Sequence, residues 1–184
     1  MNNPVVSEIY KITDCTEDLP SNHIPSLIKQ LSDPDGFIRS QARQVFCCIG
    51  VPAVPELINT LLNASPQLRW EVIKVLECIQ DPAAIPILVE QLKDDHAGIR
   101  WAASNALVGM QRQALPAIFA ALVHDFDSIG LRQSAHHILH VFKDDGKLSD
   151  VEEKVYEALE GIEPGVSVPW AAQKALESIK NKKR

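Results

Sequence analysis

The run His136-His137-Ile138-Leu139-His140 holds the side chains best suited to metal or proton chemistry. His136 and His140 are four apart, so on a helix they share a face and could chelate a cation. A metal site needs further ligands, and no carboxylate or cysteine is placed to complete one apart from the distant Asp125 and Asp127. The histidines therefore read as a solvated face that titrates near neutrality, and no metal is expected. Cys15, Cys47, Cys48 and Cys78 form no Cys-x-x-Cys pair and no zinc spacing, which predicts reduced thiols. A phosphate-cradling Gly loop, a His-Glu-x-x-His motif and a Gly-x-Ser-x-Gly elbow are all absent. Neither enzymatic activity nor a cofactor is expected. What remains is binding chemistry, carried by Trp70, Trp101 and Trp170.

The elements that position these residues are repeated. Ile24-Pro25-Ser26-Leu27, Val54-Pro55-Glu56-Leu57, Ile85-Pro86-Ile87-Leu88 and Leu115-Pro116-Ala117-Ile118 open four similar segments, with prolines spaced 30, 31 and 30 apart. A leucine follows each opening at a helical distance (Leu31, Leu61, Leu92, Leu122). Then comes an aliphatic-Arg pair: Ile38-Arg39, Leu68-Arg69, Ile99-Arg100, Leu131-Arg132. Two independent landmarks with nearly one period predict repeated helical hairpins. Asp33-Pro34 and Ser65-Pro66 look like an N-cap followed by proline at the first helical position, with Asp95 doing the same in the third unit, and Gly50 looks like a C-cap. A fifth, degenerate unit is expected. Val168-Pro169-Trp170-Ala171-Ala172 mirrors Ile99-Arg100-Trp101-Ala102-Ala103, with Pro169 in place of the arginine. The predicted organisation is an N-terminal cap segment over 1–20, repeats at about 23–50, 53–80, 83–110, 113–142 and 150–180, and a basic tail over 181–184.

This pattern resembles the HEAT-like repeat family, in particular the short bacterial type seen in phycobilin lyases. The resemblance is firm over 23–142 and extends toward 180. It implies an all-α fold, a right-handed α-α superhelix (a HEAT-type solenoid) of about five helical hairpins. In that family an Asp before the turn and the Arg of the second helix form a ladder between units. The matching residues here are Asp33 with Arg39, Asp94 with Arg100 and, loosely, Asp125 with Arg132, while Asn63 stands in for the Asp beside Arg69. Relatives with hydroxylase activity carry repeated His-Glu pairs, which this chain lacks. Relatives that act on DNA use a basic wall.

At 100° per residue, the residues one, five and eight after each arginine point away from the apolar core of the second helix. In a helical solenoid that side forms the concave wall. The expected partner-binding face is therefore Trp70, Lys74 and Glu77, then Trp101, Asn105 and Val108, then Gln133, His137 and His140, then Trp170 and Lys174. Exposed tryptophans on such a wall are typical anchors for a partner.

Composition narrows the partner. A net charge of −6 with a pI near 5.5 makes nucleic acid an unlikely ligand. Apolar runs such as Ala83 to Val89 are too short for a membrane span, and no signal peptide is evident, so a cytoplasmic location is expected. The function these features predict is a non-enzymatic scaffold or adaptor that binds another protein or peptide. The alternatives are a tetrapyrrole-attachment chaperone of the phycobilin-lyase kind and, less favoured, a nucleic-acid-binding HEAT protein.

Overall fold

Each first helix starts where proline does no harm. Pro25, Pro55, Pro86 and Pro116 all lie in the first turn, where their missing N–H breaks no helical hydrogen bond. A computed structural model of the chain describes residues 23–182, leaving out the Lys182 side chain. The expected N-terminal cap over 1–20 and the last residues of the basic tail lie outside the described residues. The described residues are all-α, with no strands.

The chain divides into two compact units, one ending at Ile79 and the other beginning at Gln80. In the first, α1 (Ile24–Leu31) pairs with α2 (Gly36–Ile49), and α3 (Val54–Leu61) pairs with α4 (Pro66–Ile79). Helix α4 also lies along α2, so the second helices stack. In the second unit, α5 (Ile85–Gln91) pairs with α6 (Ala97–Gly109), followed by α7 (Leu115–His124) and α8 (Ile129–Asp144). Helix α6 stacks on α8, and α5 on α7. The chain then adds α9 (Asp150–Glu160) and α10 (Pro164–Lys182).

The repeated leucines form the core. Leu31, Leu61, Leu92 and Leu122 are all buried, as are Phe46, Leu76, Leu107 and Leu139 of the second helices. Truncating any one to alanine would cost about 2–5 kcal/mol. Short 3-10 turns (Val51–Ala53, Pro82–Ala84, Gln111–Ala114) lead into α3, α5 and α7, and each buries its final alanine completely.

The caps differ in part from expectation. Ser65 does cap α4, its Oγ accepting from Leu68 N at 3.3 Å. Helix α2, however, begins at Gly36 with Asp35 as its N-cap, and Asp33 instead accepts from Asp35 N at 2.8 Å. Pro34 thus sits in the turn between the two capping aspartates, whose carboxylates accept from Asp35 N and Phe37 N. Helix α6 is entered the same way: His96 is the N-cap residue and Asp94, not Asp95, accepts from its N–H. Gly50 ends α2 with φ +68°, as expected of a left-handed cap. The equivalent residues after α4 and α6 are Gln80 and Gln111, both at φ 56°.

The fifth hairpin changes layer. Among the well-populated packing pairs, α10 lies against α9 and α7, and α9 lies against α8. The wall of second helices is thus continued by α9, the first helix of its hairpin, while α10 joins the first-helix layer. Arg112 clamps α9 from the preceding turn, with Nη2 2.6 Å from Glu152 Oε1. Burial alone would raise the Glu152 pKa, but hydrogen bonds from Arg112 and Ser149 outweigh it and hold the carboxyl below its usual range.

A left-handed backbone costs a non-glycine residue roughly 1–2 kcal/mol. Gln111→Gly is therefore expected to raise the unfolding free energy by about 0.5–1 kcal/mol, since the Gln111 side-chain bond to Val108 O at 3.4 Å is lost in exchange. Urea unfolding would check this, and a drop in stability would show that the turn is not strained.

Candidate functional site

Stacked second helices have two flanks as well as a core face and an open face. The arginine of each repeat lies on one flank, and the residue two positions later lies about 200° round the helix, on the other. In the first unit these flanks meet: Arg39 Nε donates to Glu71 Oε1 at 2.7 Å. Glu71, only 1% exposed, also takes a hydrogen bond from Arg43 and one from Gln67 Nε2 at 3.0 Å. One buried carboxylate so joins α2 to α4. Arg43 also lies over the Trp70 ring, 5.6 Å from its centroid.

The arginines named for the family ladder share a second contact. Arg39 Nη1 donates to Asp33 O at 2.7 Å and Pro34 O at 2.9 Å, Arg69 Nη1 to Ala64 O at 2.8 Å, and Arg100 Nη1 to Asp94 O at 2.8 Å. Arg132 donates to Phe126 O. In each of these bonds the acceptor is a backbone carbonyl of the turn within the same hairpin, not an aspartate side chain.

The cysteines correct the expectation of reduced thiols. Cys47 and Cys78 are joined by a disulfide across 31 residues, with Cα atoms 5.9 Å apart, and none of the described cysteines is free. A spacing near the repeat period places two residues side by side on stacked helices. Local motifs such as Cys-x-x-Cys cannot reveal that pairing. Cys15 lies outside the described residues.

The open face differs between the units. In the first, Trp70 is at the margin of exposure and Lys74 pairs with Glu77 along α4. In the second, Trp101 is 57% exposed and stacks on His137, with ring centroids 4.4 Å apart. Burial lowers the His137 pKa, and His140 and His136 push it the same way, so the ring is neutral at pH 7. Asn105 and Val108 are half-buried beside it, and Gln133 is exposed. His136 stacks on Tyr156 at 5.0 Å, and its Nε2 lies 3.3 Å from Glu160 Oε1. Glu160 accepts from the Tyr156 hydroxyl at 2.7 Å, which with His136 holds its carboxyl below the usual range. His140 pairs with Asp144 at 3.0 Å. His136 and His140 thus fasten α9 to α8. Among the described residues no group of three or more His, Cys, Asp or Glu is placed to hold a metal.

Trp170 and Lys174 were expected on the same wall, but both lie on α10, whose main neighbours are α7 and α9. Trp170 is 66% exposed, and Lys174 pairs with Glu177 at 3.1 Å. The residues missed by sequence reading are Arg43, Glu71, Tyr156 and Glu160. For Glu71 a signal existed: a carboxylate two residues after the repeat arginine, where the other three repeats carry Gln41, Ala102 and Ser134.

These are helical hairpins, four of them pinned by an arginine, with second helices stacked within each unit. Residues 24–108 match the family model of HEAT repeats. No curated protein matches the chain. HEAT repeats generally mediate protein interactions. No single helix among the described residues is long and apolar enough to cross a membrane.

Two outcomes test this geometry. Glu71→Ala leaves Arg39 and Arg43 without their buried partner and is expected to cost about 3–5 kcal/mol, measured by denaturant unfolding; a loss below 1 kcal/mol would show that water replaces the carboxylate. Closing a 31-residue loop is worth about 3–4 kcal/mol. Cys78→Ser should therefore lower stability by up to that amount, and thiol titration of the oxidised native chain should find neither Cys47 nor Cys78 reactive.

Proposed function

We propose that the protein is a non-catalytic binding module, a scaffold or adaptor that engages another protein or peptide through the open face of its second helices. The observation that carries this reading is Trp101: more than half its surface is open, yet stacking on His137 fixes its ring. An indole already held in place loses little side-chain entropy on binding, which is what makes an aromatic anchor effective. Trp70, braced by Arg43, supplies a smaller surface of the same kind in the first unit.

Two features support a non-catalytic role. Glu152, Glu160 and Glu177 all have lowered pKa values, so they are fixed anions at neutral pH and unsuited to general acid catalysis. His136, His137 and His140 are engaged in ring stacking and in contacts with Glu160 and Asp144. The tetrapyrrole-attachment reading loses its candidate thiol, because Cys47 is bonded to Cys78.

The test is affinity capture from native lysate with wild type, Trp70→Ala and Trp101→Ala, each checked for unchanged helical circular dichroism. Trp101→Ala should lose at least 10-fold of the retained partner, as expected for an anchor worth 2 kcal/mol or more. Trp70→Ala should lose less. Equal retention by wild type and Trp101→Ala would remove the open face as the binding surface.

A further inference from the structure

We infer that a cleft between α8 and α9 is a receptor for one acidic side chain, Glu or Asp, of a protein partner, with Arg132 as the carboxylate-binding group. The cleft has a volume of about 280 Å³ and is lined by Ile129, Arg132, Gln133, His136 and Leu159. This is small for a whole ligand and suits a single side chain with part of its neighbour.

The argument compares one position across repeats. Arg39 divides its guanidinium between two tasks: Nη1 pins the turn carbonyls, and Nε holds Glu71 of the next second helix. Arg132 occupies the same place in its repeat and performs the first task at Phe126 O. The second is unfilled. The helix beside α8 is α9, and it brings Leu159 to this cleft instead of a carboxylate. Among the described residues no acidic side chain pairs with Arg132; Asp125 is paired with Lys93, and Glu160 with Tyr156 and His136. Arg100 offers no such opening, because α8 packs on it. A Cβ added at Gly130 would lie 3.0 Å from Arg100 Cδ and 3.4 Å from its Nε.

The chemistry favours a carboxylate. The unused guanidinium edge is planar and carries parallel N–H donors, the geometry a carboxylate meets with two hydrogen bonds. Arg132 is the only fixed cation lining the cleft, and the Glu160 carboxylate stands beside His136 at its edge. A phosphate dianion would meet that anion with one arginine to offset two charges. Ile129, 64% exposed, and Leu159 give an aliphatic rim for the neighbouring residue of the partner.

Assigning the carboxylate to a protein rests on the proposed binding role; the cleft itself does not. The test is an NMR titration that follows the Arg132 Nε–H and the His136 ring. The probes are N-acetyl-glutamate α-amide, whose only carboxylate is the side chain, its glutamine analogue, and N-acetyl-leucine, whose carboxylate is terminal. The glutamate probe should give a saturable shift, with the glutamine analogue at least 10-fold weaker. Arg132→Gln should abolish the shift, although it also frees the Phe126 turn. Leu159→Glu keeps that turn and places a carboxylate in the cleft, and should weaken the glutamate probe at least 10-fold. Equal shifts from the glutamate and glutamine probes, or undiminished binding in Leu159→Glu, would overturn the site. Tighter binding of N-acetyl-leucine would overturn its assignment to a side chain. A positive titration alongside unchanged capture by Trp101→Ala would reject the open-face reading and leave the cleft standing.

Discussion

The arginine that pins each interhelical turn is the contact on which the rest of the structure depends. A helix leaves its last carbonyls without intrahelical partners, and a tight turn adds more. In each of the four arginine-bearing hairpins, Nη1 of the arginine in the first turn of the second helix reaches back to a turn carbonyl. The bond fixes the angle at which the second helix leaves the turn, and so sets which residues become core, flank and open face. Lysine could not replace it. A guanidinium presents several donors in a rigid fork, so one group can hold a carbonyl and still offer an edge to the neighbouring helix. Arg39 uses both capacities, and the link to Glu71 shows how turn geometry and helix stacking share one side chain.

Much of this was legible in the sequence because it repeats. The prolines, leucines and arginines located four hairpins, and the core face deduced from Leu68, Val72, Val75 and Leu76 is largely buried in α4. The open face was also legible, because periodicity that defines an apolar side defines its opposite. Flanks were not. Residues such as Glu71 and Cys78 face a neighbouring helix rather than the hairpin's own core, and nothing in one helix states how its neighbour is aligned. The Cys47–Cys78 pairing, across 31 residues, becomes visible only when the repeat period is treated as a contact distance. The capping errors have a different origin. Asp33 and Asp94 stand two residues before the true N-cap and bond its N–H, so an extra turn precedes the helix in a way that propensity alone does not distinguish.

Trp170 shows how far a motif can be trusted. The segment around it copies the segment around Trp101, and both are helical with alanines buried on one side. A motif of this kind encodes which face of a helix is apolar, and the face was correct. It does not encode the layer. The insertion at Glu163-Pro164-Gly165 and the capping box at Ser149 and Glu152 place α9 beside α8 and carry α10 to α7, the helix of Ala117, Ala120 and Ala121.

This exchange of layers has an electrostatic consequence at the end of the wall. Between α2 and α4 the arginine flank of one second helix faces the other flank of the next, and a stack built this way can continue. Helix α9 runs opposite to α8: Lys143 near the end of α8 lies over Tyr156, and His136, two turns earlier, meets Glu160, one turn further along α9. Reversal replaces the complementary flank with the network of His136, His140, Tyr156 and Glu160, which holds α9 by stacking and hydrogen bonds rather than by an arginine-carboxylate pair. The network satisfies the middle of α8 and stops short of its first turn, where Arg132 stands. The capping hairpin therefore leaves the last arginine of the series bonded to its turn at Phe126 O without a carboxylate from the helix beside it, because that helix points the other way.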